Sequence, residues 1–258
     1  MRKVLICGGA GFIGYHLANK LLESNYQIDL LDNFSRGLND AELIVLARNE
    51  KVNIINTDLL EPTAISQMDN NYAYIYHLAA VIGVQHVLRL PYNVLEQNFI
   101  LLHNALNIAQ KQKVLKRFVF ASTSEVYAGT LNNYGLDFPT PESTPLTVND
   151  LNEARTSYML SKIYGEAMCL KSGLPVTIIR PHNFYGPRMG LSHVIPELMK
   201  KIIDSNSGIV DVFSVNHRRT FCYIADAVEM ILLLTESNKS TGETYNIGND
   251  DEETTMGD

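Results

Sequence analysis

The sequence predicts an α/β protein built on a doubly wound parallel sheet, followed by a smaller C-terminal lobe. Three observations support this. Short apolar runs alternate with helical patterns, a glycine-rich turn joins the first run to the first helix, and the later residues break this rhythm. The composition, 46% hydrophobic and 19% charged over 258 residues, is that of an ordinary globular protein. We expect a first domain at residues 1–180 and the lobe at residues 181–258.

The first βαβ unit is the most informative stretch. Residues 4–7 form a short apolar run typical of a buried parallel strand, and the glycines after it are spaced G-x-x-G-x-x-G. Gly8 permits a tight turn, Gly11 lets a diphosphate approach the backbone, and Gly14 lets the helix pack closely. A second apolar run ends in Asp32, 18 residues after Gly14, near the roughly 20 expected of an acid that binds ribose hydroxyls. A glycine-rich turn alone is common, but the whole unit predicts dinucleotide binding.

Further patterns predict the rest of the fold. Apolar runs indicate strands at 28–31, 52–56, 73–76, 117–121 and 176–180, and apolar spacing indicates helices at 92–110 and 156–172. The proline-containing segment 128–152 is expected to be irregular. For the lobe we expect a helix at 194–205, a strand at 209–213, a helix capped by Asp226 and running to 234, and a last strand at 243–247.

Two groups of side chains are candidates for chemistry. Thr123, Ser124 and Glu125 follow the strand at 117–121, at the end of a parallel strand where ligands bind in such sheets, although ordinary turn chemistry would also place hydroxyls there. Tyr158 and Lys162 are four positions apart on one helical face. An ammonium nearby favours a phenolate, so Tyr158 is a candidate base. The alternative is a packed tyrosine beside a surface lysine, which the preceding dinucleotide unit disfavours.

Composition excludes several function classes. The net charge of −7 argues against general binding to nucleic acid or acidic membranes, and no apolar run approaches transmembrane length. The three cysteines lack metal or redox spacing, so we expect no metal site and a reducing cytoplasmic location. For His77 we favour a core position over a ligand role, and Asn98, among apolar residues, needs a hydrogen-bond partner if buried.

The motifs together resemble those of the extended short-chain dehydrogenase/reductases, the nucleotide-sugar epimerase/dehydratase family. The resemblance runs from Lys3 to about Asn249 and is carried by GGAGFIG, LDNFSRG, HLAA, FASTSEVYA, YMLSK, RPHNFYGPR and RRTFCYIAD. Within this family, the sequence is similar to the UDP-glucuronate decarboxylase-like and the UDP-sugar 4-epimerase-like members. The resemblance implies a Rossmann-type sheet, tightly held NAD, a nucleotide-diphosphate sugar as substrate, and a homodimer formed through the helices at 92–110 and 156–172.

The resemblance also implies roles for individual residues. The residues that would contact NAD are Gly8, Gly11, Phe12, Ile13, Gly14, Asp32, Asn33, Ser35, Asp58, Leu59, Leu78, Ala79, Ala80, Asn98, Tyr158 and Lys162. The catalytic residues would be Thr123, Glu125, Tyr158 and Lys162, and the substrate contacts Thr123, Ser124, Asn183, Arg188 and Arg219. Asp32 disfavours NADP because its carboxylate would repel a 2′-phosphate, an inference that Arg36 weakens.

The implied reaction begins with oxidation of the sugar C4 hydroxyl to a ketone. We expect epimerisation at C4, the commonest outcome in the family, with decarboxylation or release of the ketone as alternatives and a non-catalytic NAD(H)-binding scaffold as a different class. Ser124 stands where dehydratases carry an aspartate, which disfavours dehydration, whereas S-E-V-Y and Arg155 are features of UDP-glucuronate decarboxylases. Family members usually continue beyond residue 258, so the lobe is expected to be incomplete.

Overall fold

The computed structural model describes residues 2–205, 209–212, 215–216, 218–250 and 253–255. Its strands are β1 Lys3–Cys7, β2 Gln27–Asp32, β3 Val52–Asn56, β4 Tyr72–His77, β5 Arg117–Ala121, β6 Val176–Pro181, β7 Phe184–Tyr185, β8 Arg218–Arg219, β9 Cys222–Tyr223, β10 Thr244–Ile247 and β11 Thr254–Thr255. Seven of them form one sheet in the order β10-β6-β5-β4-β1-β2-β3, with every neighbouring pair parallel. This confirms the predicted doubly wound sheet.

Helices cover both faces of the sheet. They are α1 Phe12–Glu23, α2 Ala41–Ala47, α3 Ala64–Gln67, α4 Val84–Arg89, α5 Pro91–Gln110, α6 Ala128–Tyr134, α7 Thr156–Lys171, α8 Val194–Asp204 and α9 Ile224–Glu236. α1 packs with α9 on one face, and α5 with α7 on the other. In β1, Val4 and Ile6 join the first buried cluster while Leu5 and Cys7 join the second, because successive strand side chains point to opposite faces. Within the described ranges, no helix has the length and apolar character needed to cross a bilayer.

The chain returns to the sheet after the lobe begins. Beyond β6, residues 182–223 carry the short β7–β9 pair and α8, but α9 then packs on α1, and β10 pairs with β6 as the edge strand. A parallel edge strand needs a crossover connection, which α9 supplies. The expected boundary at residue 181 therefore marks where the chain leaves the sheet, not where the sheet ends, and the division into two domains stays a prediction.

Three local predictions differ from the structure. The segment expected to be irregular begins with α6, which continues directly from a 3-10 turn at Ser124–Tyr127. The strand expected at 209–213 is absent from residues 209–212, and Phe213 lies outside the described residues. Asp226 lies within the first turn of α9 rather than capping it, because the helix already begins at Ile224; a carboxylate is still favourable there, near the positive end of the helix dipole.

Candidate functional site

The glycine turn lies at the carboxyl end of β1, and its packing explains two of the three glycines. Gly8 has a φ of +83°, and a Cβ there would lie 2.9 Å from the Ala79 nitrogen, while a Cβ on Gly14 would lie 2.4 Å from the Gly8 oxygen. Gly11 is less crowded, with 3.2 Å to that oxygen, and it begins α1 without a side-chain cap. The protein's own packing therefore requires Gly8 and Gly14, and the uncapped helix start at Gly11 is free to receive an anion.

The end of β2 lies beside this turn. The buried carboxylate of Asp32 accepts hydrogen bonds from the amides of Ala10 at 3.0 Å and Phe34 at 2.8 Å. Burial raises the pKa of Asp32, and the two amides oppose that rise. Asn33 donates to Asp58 at 2.9 Å, so the ends of β2 and β3 are also joined. The predicted NAD contacts Asp32, Asn33 and Asp58 therefore converge with the glycine turn.

The segment after β4 completes this edge. The Leu78 amide donates to the Cys7 carbonyl at 2.9 Å, so residues 78–80 run against the glycine turn. Asn98, buried in α5, accepts from the Val81 amide at 2.7 Å and donates to the Val81 carbonyl at 3.2 Å and to Ser161 at 3.1 Å. Its polar groups are thus satisfied by protein, and it holds the segment after β4 against α7.

Tyr158 and Thr123 meet at the end of β5. Thr123 caps the 3-10 turn by accepting from the Glu125 amide at 3.3 Å, and its hydroxyl also forms a hydrogen bond with Tyr158. Glu125 is exposed in the cleft, yet the cleft walls displace enough water to raise the pKa of its carboxyl, against the charges of Arg155 and Arg219. A phenol, a hydroxyl and a carboxyl therefore share one opening.

Lys162 lies one turn further along α7, beneath this opening. Its ammonium is buried, donates to the Ala121 carbonyl at 2.7 Å, and lies 5.0 Å from the Phe120 ring centre and 5.8 Å from that of Tyr158. Burial lowers the pKa of Lys162 to about 8. His77 is confirmed as a core residue, 2% exposed and stacked on Phe120, and burial lowers the pKa of His77 to about 3.

The pKa of Tyr158 shifts in the direction opposite to the one predicted. Burial raises this pKa from 10.0, and the charge of Glu125 raises it further, whereas the hydrogen bond with Thr123 and the charge of Arg36 lower it. Lys162 is not among the groups that lower this pKa; its ammonium lies 5.8 Å from the Tyr158 ring centre and donates to the Ala121 carbonyl. The protein groups around the phenol therefore keep it neutral at pH 7.

Asn183 and Arg219 come together on the lobe side. Asn183 has a φ of +41°, donates to the Thr220 carbonyl at 3.0 Å, and its side-chain oxygen lies 3.4 Å from Arg219 Nη1. Arg219 belongs to β8, which pairs with β11, rather than to a free turn. The charge of Arg219 lowers the pKa of Glu125, so these two predicted substrate contacts lie on the same cleft as the phenol.

Arg188 has different surroundings from those expected of a substrate contact. Its side chain is 4% exposed, donates to Asp40 at 2.9 Å and the Leu38 carbonyl at 3.2 Å, and lies 4.0 Å above the Tyr15 ring. A φ of +65° turns it back toward the glycine turn. These contacts support a role in joining the lobe to the first βαβ unit, and none of them supports the predicted substrate role.

A buried polar network behind the cleft was not predicted. Its members are Ser122, Tyr127, Glu166, Arg180, His182 and Asn246. Two signals pointed to it: a glutamate four positions after Lys162 and a single arginine ending an apolar strand. Neither signal identifies the partner of either residue.

Most of the residues predicted from the sequence therefore lie together. Those on the glycine turn, at the strand ends and on α7 line one edge of the sheet, and Asn183 and Arg219 face it from the lobe. The Ser35 amide donates to the Asn33 side chain, and the Leu59 carbonyl accepts from Asn104, so both residues support the loops around the edge.

No group of three or more His, Cys, Asp or Glu side chains in the described part of the chain could hold a metal ion. A dinucleotide fits this edge, because an uncapped helix start and a carboxylate at the next strand end are both present.

Known proteins resemble the chain along its whole length. The model of the NAD dependent epimerase/dehydratase family matches residues 4–248. UDP-N-acetyl-alpha-D-glucosaminuronate decarboxylase of Bacillus cytotoxicus is 33% identical over 97% of this chain and 76% of its own length. UDP-glucuronic acid decarboxylase 1 of Arabidopsis thaliana is 31% identical over 98% of this chain. The chain spans only 56% of the length of this second relative.

Solved structures share the fold. UDP-glucuronic acid 4-epimerase from Bacillus cereus, in complex with UDP-glucuronic acid and NAD, superposes with a TM-score of 0.83 at 26% identity. The alignment covers 98% of this chain and 79% of that one. The sheet and the helices on both faces are therefore common to the two.

Proposed function

The chain belongs to the NAD dependent epimerase/dehydratase family, and from that premise we propose that it oxidises a UDP-linked uronic acid at C4 and then decarboxylates it. As a member it is an NAD-dependent enzyme, which confirms the predicted family, enzyme class and cofactor. Its relatives are nucleotide-sugar epimerases, dehydratases and decarboxylases. The uronic acid, the net reaction and the roles of individual residues are the proposed part.

The observation that carries the proposal is the shared opening of Thr123, Glu125 and Tyr158, in a chain whose relatives are named for uronic acid decarboxylation. Epimerisation, the outcome expected from the sequence, remains the second candidate. It is favoured by the similar structure of a uronic acid 4-epimerase. All three of these proteins are named for uronic acids, which is why we place a C6 carboxylate on the substrate.

The residues of the cleft suit this chemistry. Bound NAD would supply the hydride acceptor, held by the glycine turn and Asp32. Thr123 binds the C4 hydroxyl. With the positive charge of an oxidised nicotinamide nearby, Tyr158 would be a phenolate, which takes the hydroxyl proton as the hydride leaves C4 and a ketone forms. The carboxylate is then β to a ketone: the C5–C6 bond breaks, carbon dioxide leaves, and the electron pair stays in the C4–C5 enolate. A proton returns to C5 from Glu125, a carboxyl whose pKa the cleft raises. C4 would then be re-reduced by the hydride held on the cofactor while Tyr158 returns the proton to the C4 oxygen, so the product is a UDP-pentose and the cofactor is oxidised again.

Product analysis tests the proposal. The purified protein, with NAD added, is incubated with UDP-glucuronic acid or UDP-N-acetylglucosaminuronic acid carrying ¹³C at C6, and with UDP-glucose as the neutral control. We expect labelled carbon dioxide and a UDP-pentose, and NMR measures the formation of both. Tyr158→Phe, which removes the proton acceptor, should abolish both while still binding NAD.

Other products would give other answers. Inversion at C4 with the label retained would overturn decarboxylation in favour of epimerisation, and an accumulating 4-ketone with reduced NAD would indicate a C4 dehydrogenase. Turnover of UDP-glucose alone would refute the uronic acid. No turnover of any sugar by NAD-loaded protein would support the scaffold alternative.

Two further expectations from the sequence remain proposals. A homodimer is supported by an apolar surface on the paired helices α5 and α7, where Phe99 and Tyr164 are 42% and 52% exposed with ring centres 5.9 Å apart. Sedimentation of the wild type and Phe99→Glu tests it, since a charge in that contact should give monomers. The cytoplasmic location stays a prediction.

A further inference from the structure

The buried polar network begins on the helix of the catalytic pair. The Glu166 carboxylate, one turn after Lys162, accepts from Ser122 at 2.5 Å and from Arg180 Nε and Nη2 at 2.9 and 2.7 Å. Both members of this ion pair are buried. Lys162 donates to the Ala121 carbonyl, so two side chains of α7 hold two consecutive residues at the end of β5. This double attachment fixes the position of α7 along β5.

The network continues through one hydroxyl. The remaining Arg180 nitrogen, Nη1, donates to the Tyr127 hydroxyl at 2.5 Å and to the Glu142 carbonyl at 3.1 Å. The guanidinium also lies 4.9 Å from the centre of the Tyr127 ring. The Tyr127 hydroxyl in turn donates to Asn246 Oδ1 at 3.0 Å. Tyr127 therefore uses its one proton and one lone pair to connect β6 with β10, at the end of the 3-10 turn that carries Glu125.

The far end of the network reaches the lobe. His182 Nε2 lies 3.3 Å from the same oxygen of Asn246, and His182 directly precedes Asn183. The main-chain nitrogen of Asn246 donates to the Glu142 carboxylate, and its side-chain nitrogen donates to the Thr140 carbonyl. The chain of hydrogen bonds thus runs without a break from the helix of Tyr158 to the segment of Asn183.

We propose that Tyr127 and Arg180 are positioning residues: through the buried polar network they fix the helix of Tyr158 and Lys162 relative to the segment that carries Asn183. This inference rests on the proposed function, because it assumes that both segments contact one nucleotide sugar. A buried ion pair contributes little stability compared with apolar residues of equal volume. Its geometry, by contrast, is restrictive, since the planar guanidinium fork accepts its partners only in fixed directions. The network therefore defines position more than it adds stability.

Tyr127→Phe is the sharpest test, because it deletes one oxygen and keeps the ring beside Arg180. We expect kcat with the UDP-uronic acid to fall about 10- to 100-fold, since small misplacements of reacting groups have effects of this size. NAD affinity, measured by calorimetry, should change less than twofold. The matched control is Tyr245→Phe: Tyr245 precedes Asn246 on β10, and its hydroxyl makes no hydrogen bond among the described residues. That variant should keep wild-type kcat.

A second pair of variants separates geometry from charge. Arg180→Lys keeps the positive charge beside Glu166 but loses the fork, so it should lower kcat as Tyr127→Phe does. The double variant should be little worse than either single one, because both interrupt the same chain of hydrogen bonds. Multiplying effects would mean that the two residues act independently and would overturn the proposal.

The outcomes of the two proposals are distinguishable. If the wild type turns over no nucleotide sugar, the proposed function fails. If the wild type is active and Tyr127→Phe keeps full kcat, the positioning role fails. A lower midpoint of thermal unfolding with unchanged kcat would likewise overturn it, because a purely structural contact gives that result.

Discussion

Two buried cations on neighbouring elements, Lys162 and Arg180, have opposite surroundings. Both are 4% exposed. Burial would lower the pKa of Arg180, but the hydrogen bonds and charge of Glu166 outweigh it and raise that pKa. Lys162 has a carbonyl and two aromatic rings around it but no carboxylate within ion-pair distance among the described residues, and burial lowers its pKa to about 8.

This difference separates a residue that defines structure from one that is available for chemistry. A compensated charge such as Arg180 is held in one state, because removing its proton or its partner leaves the other charge buried alone. An uncompensated charge such as Lys162 is costly to the fold and remains free to respond to new charges nearby. The lysine thus belongs to the cleft in front of the β5 end and the arginine to the network behind it.

The largest expected effect is the loss of turnover in Lys162→Met. Removing the ammonium should lower kcat/KM by about 10³-fold, within the usual range for an acid–base group. Stability in urea should stay the same or increase, because the variant no longer buries an unpaired charge. Steady-state kinetics and urea unfolding of the same preparation give both values. A destabilised but active variant would reverse the roles that we assign to the two cations.

The sequence alone predicts the cleft better than the network. The glycine turn, the strand ends and the Tyr158–Lys162 pair are local patterns, in which spacing and periodicity fix the geometry. The contacts of Arg180 with Tyr127, and of Tyr127 with Asn246, join residues 53 and 119 positions apart. Such pairs depend on how β5, β6 and β10 are arranged in space, and no local pattern records that.

The same limit explains the other differences. Arg188 stands in a motif that suggests a ligand contact, but a left-handed backbone turn directs it to Asp40 and the glycine turn. Helical spacing brings Lys162 close and predicts a lowered pKa for Tyr158, yet the spacing does not reveal the burial that raises this pKa, or that the ammonium donates to Ala121. In both cases the spacing does not show which of several nearby acceptors a long side chain contacts.

Arg180→Met tests the other side of the comparison through its effect on stability, which adds to the expected loss of kcat. It leaves the Glu166 carboxylate buried without its cation, which should cost about 3 kcal/mol or more. Replacing both, as Glu166→Leu with Arg180→Met, should recover much of that loss, because no lone charge remains. Urea unfolding of the two variants measures this. If the double variant is no more stable than Arg180→Met, the loss comes from packing and not from an uncompensated charge.

The smallest effect is a pH dependence that only the uncompensated cation should produce. A lysine whose pKa falls from 10.5 to about 8 on folding binds fewer protons in the folded state than in the unfolded state between these values. The contribution of Lys162 to the free energy of unfolding therefore rises with pH, by about 2 kcal/mol from pH 7 to pH 10. Tyr158, with its raised pKa, acts in the opposite direction from about pH 9 upward, but it does so equally in wild type and Lys162→Met. Urea unfolding of the two should therefore be compared at pH 7, 8, 9 and 10. The advantage of Lys162→Met over wild type should shrink across this series; a constant difference would show that the buried ammonium is compensated after all.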